Sequence, residues 1–311
     1  MSLSVLSPGA QSLVVDLGRP GWRHMGVPLS GAADRLSVQI ANWIVGNAPG
    51  AGAVECALGG LSVRAEKDCT VAVCGAVCDV SVEGRTVPQW QALRLGKGEV
   101  LSCGATRLGA RIYFAVAGGV EGERHFGSLS TYPPAGLGAN GGEPLAQGDA
   151  LTLGRRAGEP NALPDGFRPR FSNHVTLRVR SVGEYERLEA EAQRRLFVRP
   201  WTASTQTSRM AARLDGGELA LEDDTPMVSG PLLPGTLQVP PDGRPILSLV
   251  DGHCTGGYAR AVQVIASDMW VAGQIGPGTR VSFTRAFADK VPEVLDRHLA
   301  LWGGLIEGYQ V

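Results

Sequence analysis

The 311-residue chain carries little charge: Asp, Glu, Lys and Arg make up only 19%, and they nearly cancel to a formal net charge of −1. That balance excludes the basic surface field of a nucleic-acid binder and any acidic disordered tail. Long apolar runs are also missing. None reaches the roughly 18 residues of a membrane span. The opening MSLSVLSPGAQSLVVDLGRP has no basic start, apolar centre and small-residue cleavage site of the kind that marks a secretory signal. A soluble, cytoplasmic protein is expected, with a small molecule or another protein as its partner and no role for nucleic acid or membrane.

Histidine is scarce and scattered, at 24, 125, 174, 253 and 298, and none of the cysteines at 56, 69, 74, 78, 103 and 254 forms a CxxC pair. A tetrahedral zinc site needs paired ligands, so no metal is expected. DCTVAVCGAVCDVSV alternates as a buried strand pair does, which suits small apolar thiols; no disulfide framework is implied. A GxxxxGK[ST] phosphate loop is absent, and GKG at 96–98 lacks the spacing to replace one. So is an AMKM-like biotin-acceptor tetrapeptide. If ATP or a carried carboxyl group is used, another chain supplies the machinery.

What the sequence does have is glycine (43) and proline (20), dispersed among short apolar runs. This is the text of a turn-rich β architecture, mainly β with a few helices. A β-rich lobe is expected over 1–160. It holds an amphipathic helix near 33–45, with Leu36, Ile40, Trp43 and Ile44 on one face and Gly46–Asn47 as its stop. ARIYFAVAGGV reads as a buried strand ending in paired glycines. Proline density then rises across 156–173, a candidate linker. A second lobe over 174–288 starts with the alternating HVTLRVRSV and passes through a helical spacing at Tyr185, Leu188, Ala192 and Leu196. It continues with strands in RPILSLVD, AVQVIASD and RVSFTRA. PPDGRP is a tight turn, proline setting φ and glycine supplying a left-handed position. Residues 289–311 form a helical tail.

Three polar groupings could carry chemistry. GRPGWRHMGVPLSGAAD offers Arg19, Arg23, His24, Ser30 and Asp34 at a helix start, where side-chain oxygens cap and anions dock. WTASTQTSRMAARL carries Arg209 and Arg213. DGHCTGGYAR carries Asp251, His253, Cys254, Tyr258 and Arg260. His253 and Cys254 are adjacent, and consecutive side chains on an extended strand point apart, so they do not read as a nucleophile with its base.

In order along the chain, LSPGAQSLVVDLGRPGWRHMGVPLSGAAD, ANWIVGN, ECALGG, VAGGV, GSLSTY, WTASTQTSRM, LQVPPDGRPI and TGGY resemble the allophanate hydrolase subunit 2 family. That family includes the C-type subunit of 5-oxoprolinase, the Kip-antagonist proteins and part of the carboxyltransferase region of urea amidolyase. The resemblance covers about residues 3 to 285 and implies two lobes of cyclophilin-like β-barrel type. It also implies a partner, a subunit 1 (Kip-inhibitor-like) homologue, with a third lactam-utilisation subunit for ATP-dependent opening of 5-oxoproline to glutamate. No cofactor is then bound by this chain: ATP, and biotin where it is used, come through partner subunits. Carboxyl transfer to urea and a non-catalytic regulatory role are the alternatives within the family.

By the same resemblance Asp251, His253, Tyr258 and Arg260 are candidate catalytic residues, and Arg19, His24, Ser30, Asp34, Ser128, Ser130, Tyr132 and Arg209 candidate substrate contacts. Several positions depart from the family pattern: His253 stands for glutamine, Cys254 for threonine, Arg260 for lysine and Leu129 for arginine. Ser208, Ala211 and Ala212 replace an acid, a glycine and a tyrosine, and Ser229-Gly230-Pro231 replaces SEG. Arginine cannot act as a base near neutral pH, so the change at 260 alters the chemistry available there. Imidazole at 253 brings a group able to carry a proton where the family has an amide. Cys254, in a threonine position, is not expected to be a nucleophile.

Overall fold

A computed structural model of the chain describes residues 2–155, 158–223 and 227–311. The chain is mainly β with a few helices and forms two compact units. One comprises Met1–Arg19, Ser30–Phe171 and Leu301–Val311, the other Pro20–Leu29 and Ser172–Ala300. The first two residues of the 156–173 linker lie outside the described residues.

The first unit is a pair of antiparallel sheets. One runs in the order Val120–Glu121, Ala150–Leu153, Ser2–Pro8, Leu61–Ala65, Val100–Cys103, Val80–Val82, Arg85–Val87. The other runs Gln11–Val15, Ala53–Ala57, Leu108–Val116, Cys69–Val77, Leu93–Leu95. Alternation along these strands turns Leu3, Val5, Val63 and Leu101 of one sheet toward Val54, Val73, Ile112 and Phe114 of the other, and together they make one core. The helix Arg35–Ile44 lies on the second sheet, with Leu36, Ile40 and Ile44 buried and Trp43 half-buried. Its stop is where the glycine was read, Gly46 at φ +78. The strand in ARIYFAVAGGV spans Leu108–Val116 and ends before Gly118 and Gly119, both at positive φ.

The second unit is built on a closed barrel, ordered His174–Ser181, Ala259–Val264, Thr236–Val239, Ile246–Ser248, Ala211–Asp215, Trp201–Thr207, Arg280–Arg285. Its one parallel pairing, His174–Ser181 with Arg280–Arg285, closes the ring. Leu177, Trp201, Leu214, Leu237, Leu247 and Val281 fill the interior. Tyr185, Leu188, Ala192 and Leu196 are all buried, as their spacing requires, though a 3-10 turn (Tyr185–Arg187) precedes the helix Ala190–Val198. In the PPDGRP turn, Gly243 takes φ +69 and donates to the Pro240 carbonyl at 2.9 Å. The tail helix spans Val291–Gly303; Trp302 is buried and Leu301 is exposed. Among the described residues no helix is long and apolar enough to cross a membrane.

Candidate functional site

In the first unit the predicted residues Arg19, Ser128 and Ser130 meet around Asp16, an acid that the motifs did not single out. Asp16 ends the strand Gln11–Val15 and is buried. Its Oδ1 accepts from Ser128 Oγ and Ser130 Oγ, both at 2.6 Å, and from Gly18 N–H at 2.8 Å; Oδ2 accepts from Leu129 N–H at 2.7 Å. Arg124 approaches the same oxygen at 3.5 Å. Fully buried Arg19 donates to the carbonyls of Ser130 and His125. Both serine hydroxyls, read as candidate substrate contacts, donate to a carboxylate of this chain. Gly138 completes the loop at φ +96, where a Cβ would stand 2.2 Å from the Ser130 carbonyl oxygen, so only glycine fits.

Asp34 proves to be the helix N-cap: Oδ1 accepts from Ser37 N–H at 2.9 Å and Oδ2 from Ser37 Oγ at 2.6 Å. Its own N–H donates to Tyr113 Oη, which donates to Glu55. Burial, then the Glu55 and Asp34 charges, push the Tyr113 phenol well up, so it stays protonated as that donor. Tyr132 pairs through its backbone with Leu137. Ser30 is buried at φ +52, and its hydroxyl has no hydrogen-bond partner among the described residues.

In the second unit, DGHCTGGYAR is pinned at both ends by arginine–carboxylate pairs. At one end Arg209 grips Asp251 through Nε (2.7 Å) and Nη2 (3.1 Å), both side chains only 5–6% exposed, and Asp251 N–H donates to the Arg209 carbonyl at 3.1 Å. At the other, Arg260 forks onto Glu184 through Nε (3.1 Å) and Nη2 (2.8 Å), while Nη1 reaches the Pro231 carbonyl at 3.1 Å. Between them Arg23 donates to the carbonyls of Leu232 and His253, and Leu232 N–H donates to that of Cys254. Gly252 packs so closely that a Cβ there would stand 2.2 Å from Ser248 Oγ. The result is a rigid loop that turns the side chains of His253 and Tyr258 outward, Tyr258 being 44% exposed.

The fork of Arg260, a candidate catalytic residue, is thus closed on Glu184. Its hydrogen bonds hold the Glu184 carboxyl below the ordinary 4.5, and the pair raises Arg260 in return. A carboxyl lowered by folding contributes stability above its unfolded pKa and loses it as pH falls through the folded value. Thermal melts from about pH 5 to about pH 3 should therefore show wild type losing more stability than Glu184→Gln; parallel losses would show that the pair does not act in solution. His24 lies in the same unit, its Nδ1 2.9 Å from the Gly21 carbonyl and its ring stacked on Trp22. Among the described residues no three His, Cys, Asp or Glu side chains gather to hold a metal ion.

Asp16 and Glu184 are the residues that sequence reasoning passed over. Asp16 had one local signal, an acid two residues before a glycine at a strand end, the pattern of an Asx-turn. Glu184 had none, since its partner lies 76 residues away.

Residues 25–285 match the family model described as "Carboxyltransferase domain, subdomain A and B". The chain belongs to this family. Members similar to it include the C-type subunit of 5-oxoprolinase from Escherichia coli, 34% identical with 91% of each chain covered, and that from Haemophilus influenzae, 28% identical with 90% of each covered. The carboxyltransferase-domain fold is shared with the Kluyveromyces lactis urea amidolyase structure at a TM-score of 0.92 and 24% identity, over 99% of this chain. This chain spans only 20% of that enzyme.

Proposed function

We propose that the chain is the C-type subunit of an ATP-dependent 5-oxoprolinase complex, which opens 5-oxo-L-proline to L-glutamate together with a subunit 1 homologue and a third, lactam-utilisation subunit. The supporting observation is the Escherichia coli match, which runs at 34% identity over 91% of both chains. The urea amidolyase match from Lachancea kluyveri is 28% identical and covers 17% of that protein. In this reading ATP is handled by partner subunits. The pinned loop supplies His253 and Tyr258 to the lactam, as proton carrier and hydrogen-bond donor, and Arg209, Asp251, Arg260 and Glu184 hold that loop in place.

Co-expression with the subunit 1 and lactam-utilisation homologues tests it. The expected result is a co-purifying complex that forms glutamate from 5-oxoproline only when ATP and this chain are both present. A general acid–base group contributes about 10²–10⁴-fold, so His253→Ala should cost at least about a hundredfold in turnover with an unchanged melting temperature. Glutamate formation without this chain, or an intact complex that makes none, overturns the proposal. The Lachancea kluyveri match favours carboxyl transfer to urea as a second reading. A parallel assay with urea and a carboxylated biotin carrier separates the two.

A further inference from the structure

The segment Pro20–Leu29 leaves the first unit after Arg19 and returns to it at Ser30, yet it belongs to the second unit. Its backbone closes on itself. Met25 N–H and Val27 N–H donate to the Trp22 carbonyl at 3.0 and 3.4 Å, and Gly26 N–H donates to that of Arg23 at 3.0 Å. Gly26 ends the 3-10 turn Arg23–Met25 at φ +81, a position that favours glycine. The segment is thus a formed turn that holds Arg23 against the loop Asp251–Arg260.

Both contacts of the Arg23 side chain come from one nitrogen. Nη2 donates to the Leu232 carbonyl and, at 3.1 Å, to that of His253, while Nη1 is buried without a partner among the described residues. The two acceptors stand on neighbouring segments. Gly230–Pro231 pairs antiparallel with Thr255–Gly256, and Leu232 N–H donates to the Cys254 carbonyl at 2.9 Å. The barrel face beneath the loop offers less: Ser248 Oγ lies under Gly252, and Gln238 Nε2 would stand 2.5 Å from a Cβ on Gly256. Both atoms are buried and have no hydrogen-bond partner among the described residues. Arg209 and Arg260 hold the two ends of the loop, so its middle is gripped from the side, by Arg23 and the Leu232 N–H.

We infer that Arg23 is a positioning residue for His253: by holding the His253 carbonyl it fixes where the imidazole stands, without touching substrate itself. The inference rests on the reading of His253 as the proton carrier of the site. Such a group must come within hydrogen-bond reach of the atom it serves, and a displacement of about 1 Å can cost about 10²-fold in rate. Arginine keeps its charge at any working pH, and hydrogen bonds from a charged donor are the stronger kind. Because a single nitrogen makes both bonds, a lysine ammonium, whose donors all sit on one nitrogen, can take its place. Methionine cannot.

The test compares Arg23→Met and Arg23→Lys with wild type, first in the full chain alone. Cys254, a half-exposed thiol next to His253, reports on the loop, and Cys69, half-exposed in the first unit, is the internal reference. Iodoacetamide should label Cys254 at least about tenfold faster in Arg23→Met, because losing a hydrogen bond to a charged group frees the loop to open. Cys69 should be labelled as in wild type, and Arg23→Lys should restore the slow labelling of Cys254. In the reconstituted complex Arg23→Met should lower kcat by about tenfold or more with KM changed by less than about twofold, and Arg23→Lys should recover most of that loss. Arg23→Met combined with His253→Ala should turn over no more slowly than His253→Ala alone, since Arg23 acts through that side chain. Wild-type labelling of Cys254 in folded Arg23→Met, or losses in the two variants that multiply, overturns the inference. A wild-type complex that forms no glutamate would instead sink the reading of the site, and the labelling rates would still decide whether Arg23 holds the loop.

Discussion

Asp16→Ala should lower the stability of the chain by about 3–5 kcal/mol, because it strips the acceptor from several buried donors at once. Ser128 Oγ, Ser130 Oγ and the N–H of Leu129 all lose their partner inside the protein, and the N–H of Gly18 loses its own at the edge. The hydroxyls can rotate to other acceptors; the backbone N–H of Leu129 cannot. Asp16→Asn keeps the shape and one acceptor oxygen but turns an amide donor toward other donors. Its loss should be smaller, about 1–3 kcal/mol. Urea denaturation of both variants gives the measurement. If Asp16→Ala unfolds at the wild-type midpoint, the cluster is not what holds the 122–143 loop. If it stays as stable as wild type but the reconstituted complex loses glutamate formation, Asp16 belongs to the chemistry instead.

Asp16 also shows where sequence reading stops. Alternation in HVTLRVRSV, the helical spacing of Leu36, Ile40 and Ile44, and the glycine of PPDGRP each reported on their own surroundings, and the strand, helix and turn lie where those patterns put them. A period of two or of 3.6 records which face is buried and is silent about what covers it. The pairings that build each unit's candidate cluster are all distant: Asp16 with Ser130 across 114 residues in the first, Glu184 with Arg260 across 76 and Arg209 with Asp251 across 42 in the second. Family resemblance named Ser128, Ser130, Arg260 and Asp34, yet it could not show that they bond to groups of this chain. The parallel pairing of His174–Ser181 with Arg280–Arg285 that closes the barrel was likewise beyond local pattern.

Arg209→Met should be about as damaging as Asp16→Ala, for a different reason. It leaves the Asp251 carboxylate buried without its cation, and breaking one side of a buried pair costs about 3–5 kcal/mol. Asp251→Leu strands the guanidinium in the same way and should cost a similar amount. Removing both together should cost much less than the sum, because well-packed apolar side chains often replace a buried ion pair without penalty. A double-mutant cycle by thermal or urea denaturation should therefore return a coupling of at least about 3 kcal/mol. The same variants decide what Asp251 is for. Its two oxygens are engaged by Arg209 Nε and Nη2, and its N–H by the Arg209 carbonyl; the proposed function gives it a positioning role, fixing where His253 and Tyr258 stand. A positioning role predicts that the stable double variant keeps measurable glutamate formation in the reconstituted complex, with KM raised more than kcat is lowered. An Asp251→Asn variant that melts like wild type but abolishes turnover would instead place the carboxylate on the substrate.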